Sequence, residues 1–190
     1  MPPVMEIYPR RVTLVLGGAR SGKSRYAQAL ASRYRRVTFL ATARPSDREM
    51  RDRIAAHRRE RPASWKTVEA PLDLHKTITS ESRKADLLLV DCLTLFVANT
   101  MSHERRKASS ARFVTEQLCQ AIRSSQASVI VVSNEVGNGI VPAYRSGRVY
   151  RDLLGQMNQE IAKIADRVVL MIAGIPLTVK DTAERKGDLE

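Results

Sequence analysis

The sequence predicts a single α/β domain with a mostly parallel sheet and helices on both faces. Three observations carry this. Short apolar runs rich in Val, Ile and Leu alternate with longer segments of helical periodicity. The runs are continuous, as in strands covered on both faces. A glycine-rich loop follows the first run and opens the first helix. A chain of 190 residues suits one domain of ordinary size.

The elements follow in order. Val12 to Leu16 is a β-branched run that stops at Gly17, and Ser24 to Tyr34 carries Ala27, Leu30, Ala31 and Tyr34 at helical spacing. Val37 to Ala41 is a second buried strand. Ser46 to Glu60 reads as a helix with a Ser46–Glu49 capping box, ended by Arg61-Pro62. Ala63 to Val68 is a short strand, and Pro71 opens a helix with Leu72, Leu74 and Ile78. Asp86 to Val90 is an apolar strand ending at Asp91. A polar, basic loop, Ser102 to Lys107, precedes a helix over Ala108 to Ser124. Ser128 to Ser133 is a strand, and Asn134 to Pro142 a glycine-rich loop past its end. Val149 to Ala165 is helical and Arg167 to Ala173 extended. Gly174-Ile-Pro176 is a turn before a short strand near Thr178 to Lys180. Residues 1–11 form an N-terminal extension, 12–180 the domain and 181–190 a C-terminal tail.

Composition narrows the class. At 43% apolar and 27% charged residues the chain folds into a core and is not disordered. No apolar run approaches the roughly 20 residues of a bilayer span. Met1 to Arg11 lacks the apolar stretch of a secretory signal. Cys92 and Cys119 have no metal-ligand spacing. The expected location is the cytoplasm, without membrane insertion. The 32 Lys+Arg exceed the 20 Asp+Glu to give a net charge of +12. That excess fits polyphosphate ligands, nucleic acid or an acidic membrane surface. Arginine enrichment also follows from a high-GC genome without any functional cause. Aromatics at 5% supply a base-stacking platform poorly.

Gly17-Gly18-Ala19-Arg20-Ser21-Gly22-Lys23-Ser24 matches G-x-x-x-x-G-K-[ST] between a strand and a helix. Glycines let backbone N–H groups approach phosphate oxygens, and the helix N-terminus adds its dipole. Lys23 supplies positive charge to the β- and γ-phosphates, and the Ser24 hydroxyl suits Mg²⁺. Asp91, at the end of an apolar strand, sits where a second magnesium-organising carboxylate stands. The plain alternative is a polar residue closing a strand. The motif marks a P-loop nucleotide site and leaves the chemistry open. A small-molecule kinase, an ATPase acting on nucleic acid and a GTP-regulated switch all fit, although no Asn-Lys-x-Asp guanine-reading motif occurs.

His57 shares a helix face with Met50 and Ile54 and is flanked by Arg51, Arg53, Arg58, Arg59 and Arg61. It is either a half-buried helical residue beside a solvated basic face or a nucleophile. A neutral imidazole attacks phosphorus to form a phosphoramidate, splitting one hard transfer into easier ones. Neighbouring arginines would disfavour the imidazolium and stabilise phosphate charge.

Beyond the loop, the chain carries Ala41-Thr42-Ala43, Asp47-Arg-Glu-Met50, His57-x-x-x-Arg61-Pro62 and Trp65-x-Thr-x-Glu69. Further on come Asn134-Glu-Val-Gly-x-Gly-Ile-Val-Pro142, Arg151-Asp152, Gly155, Asn158-Gln159, Ala165-Asp166 and Gly174-Ile-Pro176. Across residues 12 to 180 this resembles the bifunctional adenosylcobinamide kinase/adenosylcobinamide-phosphate guanylyltransferase family of cobalamin synthesis. The resemblance implies a RecA-like P-loop NTPase fold and a propeller-like homotrimer. It implies phosphorylation of adenosylcobinamide with ATP or GTP, then GMP transfer from GTP to adenosylcobinamide phosphate. Pyrophosphate is released, and the GMP passes through a histidine, here His57. Some family members carry two adjacent histidines; this chain has Ala56 before His57. By the same resemblance Gly17 to Ser24 hold the triphosphate with Mg²⁺ at Ser24 and Asp91. Thr42, Ala43, Arg44, Arg58, Arg59, Glu60, Arg61, Glu69 and Asp91 line the guanylyl site. A P-loop kinase of another small metabolite would share the loop and Asp91 but have no use for a nucleophilic His57.

Overall fold

Continuous apolar runs need cover on both faces, and the fold supplies it. A computed structural model describes residues 9–103 and 108–182. The elements are β1 (Val12–Gly17), α1 (Lys23–Ala31), β2 (Val37–Ala41), α2 (Arg48–Arg59), β3 (Lys66–Glu69), α3 (Leu74–Glu81) and β4 (Leu87–Asp91). They continue with α4 (Leu93–His103), α5 (Ala108–Ser124), β5 (Ser128–Val132), α6 (Arg145–Ile164), β6 (Arg167–Ile172) and β7 (Ile175–Asp181). The strands form one 7-stranded sheet in the order β3-β2-β4-β5-β1-β6-β7. All pairs are parallel except β6 with β7.

Successive side chains of a strand point to opposite faces, so each central strand feeds two cores. Leu14, Leu88, Val90, Val129 and Val131 pack with Leu74 and Ile78 of α3, Leu118 and Ile122 of α5, and Leu154 and Ile161 of α6. Val15, Leu87, Leu89, Ile130 and Val132 pack with Ala27 and Ala31 of α1. After β1 the chain crosses to β2, beyond β5 and β4, while β6 returns on the other side. The crevice at the strands' C-terminal ends is the ligand edge of such a sheet.

Several local expectations are corrected. No element is read between Asp91 and Ser102, yet Leu93, Phe96 and Val97 are buried on α4. The helix α2 begins at Arg48, and its cap lies one residue beyond the expected one. Asp47, not Ser46, is its N-cap, accepting from the Met50 N–H at 2.7 Å. A carboxylate placed there is the stronger acceptor and answers the helix dipole. The hairpin turn is Ala173–Gly174, both with positive φ, so Ile175 and Pro176 belong to β7. Pro176 is tolerated because β7 is an edge strand. The helix expected from Pro71 starts at Leu74, and that expected from Val149 starts at Arg145. Asp181, given to the tail, ends β7 and pairs with Arg11 and Arg167. The basic cluster Arg105-Arg106-Lys107 and residues 1–8 lie outside the described residues. Among the described residues no helix is long and apolar enough to cross a membrane.

Candidate nucleotide site

The phosphate loop leaves β1 through Gly17, whose φ of 150° suits glycine. A Cβ there would stand 2.5 Å from the Met171 carbonyl oxygen. Gly22, at φ 91°, is the N-cap of α1. The β6–β7 turn braces the loop, the Gly174 N–H donating to the Ser21 carbonyl at 3.1 Å. Gly18, Ala19 and Arg20 are exposed, and Arg20 has a φ of 57°. Ser21 is buried, its hydroxyl without a partner among the described residues.

Lys23 is buried, and its ammonium donates to the Gly18 carbonyl at 2.5 Å. Burial lowers its pKa, opposed by the nearby Cys92 and Asp91. The Asp91 carboxyl is pushed up by burial. It is pulled back by the nearby Ser24 hydroxyl and by the charges of His57, Arg61 and Lys23. Lys23 and Ser24 come from the start of α1, Asp91 from the end of β4, and His57 and Arg61 from the end of α2 and just beyond. The strand order brings these segments to one edge.

Arg61 lies over the Phe39 ring, 3.4 Å from its centroid. Burial lowers its pKa, against the pull of Asp91 and with the repulsion of Arg58. Its buried Nε has no partner among the described residues. His57 is half-buried, whereas Arg58, Arg59 and Glu60 are exposed. Ala43 is half-buried beside an exposed Arg44, and Glu69 is exposed at the end of β3, in register with Ala41. Among the described residues Arg44, Glu60 and Glu69 make no side-chain hydrogen bond to this cluster.

Thr42 is placed differently from the expected lining residue. It is 0% exposed, and its hydroxyl donates to the Cys92 carbonyl at 2.7 Å while accepting from the Cys92 N–H at 2.8 Å. The Asn99 side-chain amide donates to the Thr42 carbonyl at 2.7 Å and to that of Pro71 at 3.2 Å. Thr42 thus ties the end of β2 to the end of β4 beneath Asp91. Burial holds the Cys92 thiol protonated, its pKa pushed up to about 11. Sequence reading missed Asn99, an amide in the largely apolar α4.

The glycine-rich loop after β5 stands beside the phosphate loop. The Glu135 N–H donates to the Gly17 carbonyl at 3.0 Å, and the Glu135 carboxylate accepts from the Gly137 N–H at 2.6 Å. Asn158 of α6 holds the Asn134 carbonyl at 3.0 Å, and the Thr94 hydroxyl accepts from the Asn134 N–H at the same distance.

A P-loop ATPase architecture is seen in EscN of the enteropathogenic E. coli type III secretion system, with a TM-score of 0.56 at 10% identity. That match covers 95% of this chain and 45% of EscN, and shows the P-loop NTPase fold alone. The bifunctional adenosylcobalamin biosynthesis protein CobP of Pseudomonas aeruginosa is 43% identical over 169 residues, 88% of this chain and 96% of that protein. CobU of Salmonella typhimurium is 38% identical over 178 residues, covering 88% and 98%. The model of the cobinamide kinase / cobinamide phosphate guanyltransferase family matches residues 13–179, from β1 through nearly all of β7. With the phosphate loop, Asp91 and His57 falling inside one matched span, the chain belongs to the cobinamide kinase / cobinamide phosphate guanyltransferase family.

Proposed function

We propose that this chain phosphorylates adenosylcobinamide with ATP or GTP, then transfers GMP from GTP to adenosylcobinamide phosphate through His57. The products of the second step are adenosylcobinamide-GDP and pyrophosphate. The observation that carries the histidine's role is its position in the last turn of α2, where its charge is felt by Asp91 beside Ser24 of the phosphate loop. Nucleophile and triphosphate cradle therefore share one centre.

Family membership supports the paired activity. Loop amides and Lys23 hold the triphosphate. An imidazole nitrogen of His57 attacks the α-phosphorus; a P–N bond forms and the P–O bond to pyrophosphate breaks. A phosphate oxygen of the acceptor then attacks the same phosphorus, and the P–N bond breaks. Arg61, desolvated over Phe39, places a fixed positive charge beside this centre. Ala43, Arg44, Arg58, Arg59, Glu60 and Glu69 line the guanylyl side, with Thr42 as its buried support.

Ser24 and Asp91 fit Mg²⁺: a hydroxyl and a carboxylate that lie near each other are hard oxygen donors. Among the described residues no group of His, Cys, Asp or Glu forms a closed metal cage. An ion completed by phosphate oxygens and water suits such a site. When bound, Mg²⁺ neutralises charge on the phosphate oxygens.

We further infer a homotrimer working in the cytoplasm. Ile175, Leu177 and Val179 alternate along edge strand β7 and stay 69%, 53% and 63% exposed, an apolar stripe suited to cover by another copy.

The decisive experiment uses GTP labelled at the α-phosphate, with Mg²⁺ and no corrinoid. Acid-labile, alkali-stable protein label that His57→Ala removes is the expected result. The same variant keeps cobinamide phosphorylation. Label retained by His57→Ala would falsify the assignment. No label in the wild type, with ATP still bound, would leave a kinase without nucleotidyl transfer.

A further inference from the structure

We infer that the pocket between the glycine-rich loop and α6 receives the carboxamide edge of the corrinoid substrate, a subsite that rests on the function proposed above. The pocket is open, about 340 Å³, and lined by Gly137, Arg151, Asp152, Gly155, Gln156 and Gln159. It is too small for a whole corrinoid and large enough for a side arm of one.

Its chemistry points to a neutral, amide-bearing ligand. Arg151 offers only donors, Asp152 only acceptors, and Gln156 and Gln159 offer both. The two charges cancel, so the pocket lacks the cation excess a polyphosphate needs. A primary carboxamide presents one carbonyl acceptor and two N–H donors, and cobinamide carries such groups around its ring. Among the described residues the four polar side chains make no hydrogen bond or ion pair within the protein.

Gly155 strengthens the case. A mid-helix glycine destabilises a helix by roughly 1 kcal/mol relative to alanine. A Cβ at Gly155 would meet nothing within 4 Å, so packing does not demand glycine there. Arg151, Gly155 and Gln159 fall at i, i+4 and i+8 on one face of α6, and the missing side chain keeps the pocket floor clear. The position is also right. The loop that contributes Gly137 is hydrogen-bonded to Gly17 through Glu135, so a corrinoid seated here lies beside the phosphate loop. Further along the loop Ile140 and Tyr144 are 97% and 82% exposed, apolar surface for the ring's methyl-bearing rim.

The test is adenosylcobinamide binding by calorimetry, with its KM in the kinase reaction, for Gly155→Leu, Arg151→Met and Gln159→Met. Gly155→Leu fills the floor; the other two remove polar groups from an exposed helix face and leave the fold intact. We expect corrinoid affinity to fall about ten-fold or more in each, equivalent to the loss of one or two hydrogen bonds. GMP labelling without corrinoid is expected to stay at the wild-type level. Normal corrinoid affinity in all three, with GMP labelling intact, overturns the subsite and leaves the proposed function standing. A change confined to sedimentation, marking a contact between copies, also overturns it. A wild type that neither labels with GMP nor binds adenosylcobinamide removes the proposed function and the subsite with it.

Discussion

The Ser24 hydroxyl stands near enough to the Asp91 carboxyl to hold its pKa down, which brings the first turn of α1 to the end of β4 across the crevice. Strand β5 and the loop strand β1 lie at this edge with β4, so the contact joins segments far apart in sequence. Hydroxyl and carboxylate therefore face the same end of the sheet.

Asp91 is held at an electrostatic cost. Burial raises its folded pKa above the ordinary aspartate value of 3.8, so the folded chain binds this proton more tightly than the unfolded one. The stability this contributes is present below 3.8 and lost as pH rises through the raised folded value. Asp91→Asn is therefore expected to raise the thermal midpoint at pH 7, the gain narrowing as pH falls toward the ordinary carboxylate range. Both transfer reactions should fall by about 100-fold or more in the same variant. Thermal scans across pH beside activity assays check both halves.

Lys23→Ala should damage kinase and guanylyl transfer alike, each by about 100-fold or more, because both handle a triphosphate. Separate assays of the two steps decide this; intact turnover in either contradicts a shared cradle.

Gly17 and Gly18 should respond very differently to alanine. At Gly17 the new Cβ meets the Met171 carbonyl and the backbone is left-handed, so Gly17→Ala should cost about 2–3 kcal/mol or more in urea unfolding. At Gly18 nothing lies within 4 Å, and the alanine should be nearly neutral for stability.

Thr42→Val keeps the shape and removes the hydroxyl. The Cys92 N–H and carbonyl both lose their partner in a fully buried place. A loss of about 2 kcal/mol is expected, with reduced activity from a displaced Asp91. Loss of nucleotide affinity at unchanged stability would instead return Thr42 to the lining of the guanylyl site.

The strands β1, β2, β4, β5 and β6 were legible because their apolar runs are continuous and bounded by polar or glycine residues. The helix α4 was not, because Leu93, Leu95, Phe96, Val97 and Met101 leave it little polar contrast to set a helical period. The phosphate loop, Asp91 and His57 each announce themselves locally. Their meeting does not, since it depends on strand order. Thr42 shows the limit most directly: its partner Cys92 lies 50 residues away, and local reading cannot tell a buried tie from a ligand contact.

The helix α2, which carries His57, buries none of its side chains completely. Its amides open locally for far less free energy than those of the central sheet. If nucleotide stiffens this helix as it binds, part of the gross binding free energy goes into that ordering. The same looseness has a use in a two-step transfer. A histidine on a lightly anchored helix can face pyrophosphate as a leaving group and afterwards turn its phosphoramidate toward a second, bulkier partner. Clamping α2 to the sheet would sharpen the first encounter and hinder the second.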